Sequence, residues 1–118
     1  MKYVHEREVW WCDFGNDPVG IEISKKRPVL ILKKFNKRHF FVIPLTKTKR
    51  SPKITYDLSQ VSNFGDNSYL NISQLRAIDV GRLDQQFGKL SQGMFKKVKK
   101  LSAEVLTPAS EPSGQKLR

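Results

Sequence analysis

The chain has 118 residues, enough for one domain with its own core and no disulfide or metal staple. Lys and Arg total 22 against 11 Asp and Glu, a formal charge of +11, which ranks nucleic acid first among partners, an acidic protein second and an anionic membrane last. A single cysteine, Cys12, excludes an intrachain disulfide and a multi-cysteine zinc site, and no apolar run approaches membrane-spanning length.

The start Met1-Lys2-Tyr3-Val4-His5-Glu6 lacks the hydrophobic region of a signal peptide, so the expected location is the cytoplasm. Val9 to Phe14 reads as the first strand. Its neighbours Trp10 and Trp11 must point to opposite faces, one into the core and the other toward a partner or groove. Cys12 lies inside this apolar pattern, where a small buried thiol is the ordinary outcome. Gly15-Asn16-Asp17-Pro18 is turn chemistry, and a loop carrying Gly20, Glu22 and Lys25 runs on to Lys26.

Pro28 to Leu32 and Phe40 to Leu45 are short apolar runs rich in branched or aromatic residues, the composition of two strands rather than a helix. If they pair antiparallel through Lys33 to Arg38, the start of the first lies beside the end of the second. Arg27 then neighbours Thr46. A guanidinium and a hydroxyl on one sheet edge, among Lys25, Lys26 and Lys47, form a phosphate-binding arrangement. The alternative for such lysines is to keep loops solvated; Arg27, directly before Pro28, is the residue whose position favours a site. His39, alone at a strand start, reads as structural or solvent-facing rather than as a general base.

Ile54 to Leu58 alternates as a half-buried strand should, and Ser62 to Asn67 is loop. Tyr69 to Asp79 reads as one further strand region, followed by a connecting piece from Val80 that ends at Phe87-Gly88-Lys89-Leu90. Ser91 is the expected N-cap of a helix from Gln92 to Leu106. On it Met94, Phe95, Val98, Leu101, Val105 and Leu106 share one face, and Lys96, Lys97, Lys99 and Lys100 take the other. Residues 1–106 form the domain; Thr107 to Arg118, with little to bury, is a flexible tail. Several short strands and one closing helix imply a mainly β fold, a small antiparallel β-barrel with a C-terminal helix. No His, Asp and Glu cluster has metal-ligand spacing, so no metal or other cofactor is expected.

Five blocks carry a resemblance: Glu8 to Gly15, Gly20-Ile21-Glu22, Lys26 to Leu32, Pro44-Leu45-Thr46, and Ser73 to Asp79. In this order and spacing, over Glu8 to Leu106, the chain resembles the MazF/PemK toxin family. The resemblance implies an SH3-like barrel and a symmetric homodimer. It also implies the toxin of a type II toxin-antitoxin system, a sequence-selective, metal-independent endoribonuclease acting on single-stranded mRNA. In such enzymes the 2′-hydroxyl attacks the adjacent phosphate, leaving a 2′,3′-cyclic phosphate and a 5′-hydroxyl. The implied partners are RNA and an antitoxin whose flexible acidic end wraps the toxin; DNA is bound by way of the antitoxin complex, and no membrane is implied.

Position by position, Arg27 matches the basic residue before the Pro-Val strand, which stabilises the phosphate or protonates the leaving group. Thr46 matches the hydroxyl residue that holds the scissile phosphate; an alkyl hydroxyl is too weak a base to act alone. Glu22 matches the acidic position of the Gly-Xaa-Glu loop, as a base, as an orienter of Arg27, or as a solvated carboxylate. Lys25, Lys26, Lys47 and Gln74 are the expected RNA contacts. The chain departs from some relatives at Asn71, where they carry arginine, and at Ser73, where they carry an acid, which leaves the general base unassigned. Two further readings use the same fold: a CcdB-like toxin that poisons gyrase without catalysis, and a basic RNA-binding barrel without activity.

Overall fold

A computed structural model describes residues 2–15, 26–61, 64–65 and 67–107. Its strands are β1 (Glu8–Asp13), β2 (Lys26–Lys34), β3 (His39–Thr46), β4 (Thr55–Asp57), β5 (Tyr69–Asn71), β6 (Arg76–Asp79) and β7 (Leu83–Lys89), followed by helix α1 (Gln92–Leu106). All pairings are antiparallel, in the order β4-β5-β3-β2-β1-β7, with β6 also on β3. The sheet curls without closing, so the fold is barrel-like with β4 and β7 as its outer strands.

The central strands are apolar on both faces, which explains why β2 reads as an unbroken run rather than an alternation. Val9, Leu30, Leu32, Ile43 and Leu45 face one core, which α1 closes with Phe95 and Val98. Trp10, Cys12, Val29, Ile31 and Val42 face the other, with Val4, Phe40, Ile78 and Leu83. Burying side chains of this size stabilises by roughly 1.5–3 kcal/mol each. Helix α1 begins where Ser91 Oγ accepts the Met94 amide at 3.2 Å. Its lysines are exposed as expected, but Leu106 at its last turn is 60% exposed and leaves the apolar face.

Two expected segments differ. The region Tyr69 to Asp79 is two strands separated by a 3₁₀ turn, Ile72–Gln74. Both lie on β3, with Leu45–Leu70 and Thr46–Tyr69 pairs at one end and Val42–Arg76 to His39–Asp79 pairs at the other. The turn absorbs the change of register, because β3 passes from one part of the curled sheet to the other between Val42 and Leu45. The expected connecting piece after Val80 shortens to a 3₁₀ turn, Val80–Arg82, and the polar stretch from Leu83 forms β7 against β1.

The β2–β3 hairpin sets up everything that follows. Its turn is organised by Asn36, whose Oδ1 accepts the amides of Arg38 at 2.8 Å and His39 at 2.9 Å. Next to the turn Lys34 pairs with Phe40 and Lys33 with Phe41; a bulge at Leu32 then shifts the register, giving Ile31–Val42, Leu30–Ile43 and Val29–Pro44. His39 is exposed at the turn end, its Nδ1 3.2 Å from Asn36 Oδ1.

Candidate active site

Continuing the register from Leu30–Ile43 and Val29–Pro44 to the open end of the hairpin sets Arg27 across from Thr46. Both line a cleft of about 510 Å³ with Lys26, Pro28, Leu45, Lys47 and Thr48. Its other wall is aromatic, made by Trp11, Phe64 and Phe87. Trp11 meets Phe87 edge-on with centroids 5.3 Å apart, and Phe64 and Phe87 are 5.8 Å apart. Of the two adjacent tryptophans, Trp10 is the buried one, its Nε1 donating to Glu8 Oε1 at 2.9 Å, and Trp11 is the one at the groove.

The polar atoms of the cleft are unevenly satisfied. Thr46 Oγ1 accepts the Thr48 amide at 3.2 Å, which pins the hydroxyl oxygen and leaves its hydrogen to be donated. Arg27 Nε is buried and finds no hydrogen-bond partner among the described residues. A buried donor of that kind is ordinarily paired; here it belongs to a guanidinium side chain that lines the cleft across from a positioned hydroxyl. That pairing of groups suits a tetrahedral oxyanion such as a phosphate.

Lys26 is not a bare cation. Its Nζ lies 2.8 Å from Asp84 Oδ2 on β7, and the hydrogen bond raises the Lys26 pKa while lowering that of Asp84. Lys47 is exposed at the rim. Gln74 is half-buried in the 3₁₀ turn after β5 and does not line the cleft. Glu22 and Lys25 lie outside the described residues. Asn71 is buried and its Oδ1 accepts the Ser73 hydroxyl at 2.6 Å, so the two departing positions satisfy each other and neither reaches the cleft. Among the described lining residues there is no carboxylate or imidazole.

The sequence from residue 5 to residue 106 matches the family model of the PemK-like, MazF-like toxin of type II toxin-antitoxin systems. The chain belongs to that family. No sequence among curated proteins matches it significantly. Its fold is similar to that of MazF from Deinococcus radiodurans, with a TM-score of 0.73 at 19% identity, covering 89% of this chain and 98% of that one. It is also similar to the Mycobacterium tuberculosis toxin MazF-mt6, with a TM-score of 0.67 at 20% identity over 84% of this chain and 94% of that one. A mycobacterial endoribonuclease in complex with its cognate antitoxin gives 0.70 at 17% identity, over 88% and 95%. At such identities the likeness is one of fold.

For this MazF-like chain, sequence reasoning reached Arg27, Thr46, Lys26, Lys47 and a tryptophan at a groove, which is Trp11, but not Phe64 or Phe87. Phe64 comes from a loop, and Phe87 from β7, where the sequence predicts a connecting piece. The usable signal was Gly88 after Phe87: a Cβ there would stand 2.9 Å from Phe64 Cε1, so the glycine marks a close approach of the wall to the sheet. No helix among the described residues is long and apolar enough to cross a membrane.

Proposed function

We propose that the cleft cleaves single-stranded RNA without a metal ion, as the toxin of a type II toxin-antitoxin pair. The observation that carries the reading is the unpartnered Arg27 Nε opposite Thr46, in a cleft with a cationic side and an aromatic side. The aromatic wall suits bases, whose faces stack on Trp11 or Phe87, and the cationic side suits the backbone. In the step proposed, the 2′-oxygen bonds to phosphorus, its proton passes to a base, the P–O5′ bond breaks and O5′ takes a proton. Thr46 donates to a non-bridging oxygen and Arg27 donates to the phosphorane as charge builds on it. Glu22, from the segment before β2, is the proposed base or the residue that orients Arg27. Lys25, Lys26 and Lys47 hold flanking phosphates, and Gln74 contacts RNA outside the cleft. The product ends are a 2′,3′-cyclic phosphate and a 5′-hydroxyl.

The proposed partner in the cell is an acidic antitoxin, as the antitoxin complex of the mycobacterial endoribonuclease illustrates for a chain of this fold. Its carboxylates compete for Arg27 and the lysines while apolar anchors cover Trp11 and Phe87, and the cytoplasmic toxin acts as a homodimer. The test is to incubate the purified protein with a long RNA in excess chelator and map the cut ends. Cuts bearing cyclic phosphate are expected. Cleavage that needs added magnesium overturns the metal-free step, and an absence of cuts with gyrase-dependent DNA damage overturns the nuclease reading.

A further inference from the structure

The far end of the hairpin carries a second cleft, of about 660 Å³. Along β2 it is separated from Arg27 by the strand's length, about 23 Å from Arg27 to Lys34 at 3.3 Å per residue. Val4 and Phe40 form its buried floor, and Lys2, Lys34, Lys37 and Arg38 stand around it. Only three large apolar side chains are strongly exposed among the described residues, and two of them are here. Tyr3, 73% exposed, lines the cleft, and Phe35, 52% exposed, stands in the turn between Lys34 and Lys37. Phe35 is braced edge-on by Phe41, with centroids 4.5 Å apart, so its ring is oriented before any ligand arrives.

We propose that this cleft is a second binding site for single-stranded RNA, one that holds the strand at a distance from the cutting cleft. The charges leave room for phosphates. Arg38 is balanced by Asp79 at 3.0 Å, and Glu6 accepts the Lys34 backbone amide at 3.0 Å and keeps its charge, which Lys2 and the Lys34 and Lys37 ammonium groups, without an ion pair among the described residues, outweigh. Lys2 Nζ lies 3.5 Å from the Val80 carbonyl, and its charge also acts on Asp84 without an ion pair among the described residues. Exposed aromatic faces interleaved with unpaired cations are the composition of a base-stacking platform along a backbone track. A second copy of this chain would bring the same cations against one another.

An RNA long enough to touch both clefts is held by two weak sites at once, so its second contact is intramolecular. The binding stands independently of cleavage; only its effect on the KM for long RNA rests on the nuclease reading. The experiment measures fluorescence anisotropy of a long single-stranded 2′-O-methyl RNA, which cannot be cut by its own 2′-oxygen, across a salt series. Lys34→Gln with Lys37→Gln should weaken binding and flatten the log-log salt slope by about 1.4, two phosphates at about 0.7 each. Tyr3→Ala should weaken it about fivefold or more with the slope unchanged, since stacking carries no counterion release. With cleavable substrates the double variant should raise the KM for long RNA and leave kcat and short RNA unaffected. Circular dichroism checks the fold of these exposed-residue variants.

Wild-type affinity and slope in the double variant overturn the proposal. So does a double variant that keeps RNA and loses polyglutamate, which would make the cleft a site for an acidic protein. A protein that cuts nothing yet shows the Lys34- and Lys37-dependent slope would overturn the nuclease reading and leave this site standing.

Discussion

Lys26 Nζ and Asp84 Oδ2 meet at 2.8 Å, so the first cation of β2 is held by an acid of β7 across the intervening strand β1. Both groups are more than half exposed, and such a pair contributes little to stability. Its effect is on the field at the cleft. Asp84→Asn should release Lys26, tighten RNA binding and steepen the log-log salt slope by about 0.7. Lys26→Gln should cost less affinity than Lys47→Gln, since Lys26 already has a partner. The Asp84 carboxyl is lowered, so its share of the pair is present above the ordinary Asp pKa and lost as pH falls through the folded value. Lys26 is raised, so its share is present below the ordinary Lys pKa and lost as pH rises through the folded value. The pair is therefore intact across neutral pH, and anisotropy titrations should show its influence unchanged between about pH 5 and 9.

Arg27 should show opposite signs on activity and stability. Arg27→Ala is expected to lose about 100- to 1,000-fold in cleavage, the usual cost of one transition-state donor. Arg27→Lys should recover little, because an ammonium lacks the forked donor geometry. Yet the buried Nε finds no partner among the described residues, and a buried unsatisfied donor costs about 1–3 kcal/mol. Arg27→Met should then be inactive and more stable, with a raised urea midpoint; a lowered midpoint would show that Arg27 is anchored after all. Thr46→Ser should retain cleavage where Thr46→Val loses it.

Gly88→Ala should deform the aromatic wall from behind. The added Cβ would stand 2.9 and 3.1 Å from two carbons of the Phe64 ring, and a clash of that kind costs about 1–3 kcal/mol. Because Phe64 leans on Phe87 and Phe87 on Trp11, the change should also shift Trp11 fluorescence. Adding Phe64→Leu should restore the melting temperature. If it does not, the strain lies in the β7 backbone.

Cys12 should be silent at neutral pH and costly at high pH. Burial pushes its thiol from 9.0 up to about 12, although the nearby Arg82 and Arg76 pull the other way. Between those values the folded chain keeps a proton that the unfolded chain releases, so stability falls as pH rises through that window. Denaturant midpoints at pH 8 and pH 10 should differ less in Cys12→Ala than in the wild type. A thiol reagent at pH 8 should label the native protein at the rate of unfolding.

The hairpin, the helix and the Arg27–Thr46 juxtaposition were legible in the sequence because each rests on local chemistry. Branched runs flanked by basic turns make strands, Ser91 caps a helix, and antiparallel pairing brings the ends of two neighbouring strands together. Strand β7 was not legible, since Asp84, Gln85 and Gln86 carry no strand pattern and are held by β1, far away in sequence. The break at Ile72–Gln74 was hidden for a related reason: it answers a register change on β3 that only the curl of the sheet requires. The aromatic wall joins β1, a loop and β7, so no single stretch announces it. Nor does a sequence show that Lys26 is spoken for by Asp84.

The bulge at Leu32 makes the site a matter of counting. Carried on without it, the register beside the turn, Lys34 with Phe40 and Lys33 with Phe41, would bring Arg27 opposite Lys47. The extra residue advances one strand against the other and delivers a hydroxyl in place of an ammonium. Changes of length in the turn around Asn36 leave that phase alone, whereas loss of one residue at the bulge would exchange the proposed reaction partner of Arg27 while sparing every residue in the cleft. Leu32 lies in the core beneath the helix, so a residue outside the cleft sets which side chain stands across from Arg27.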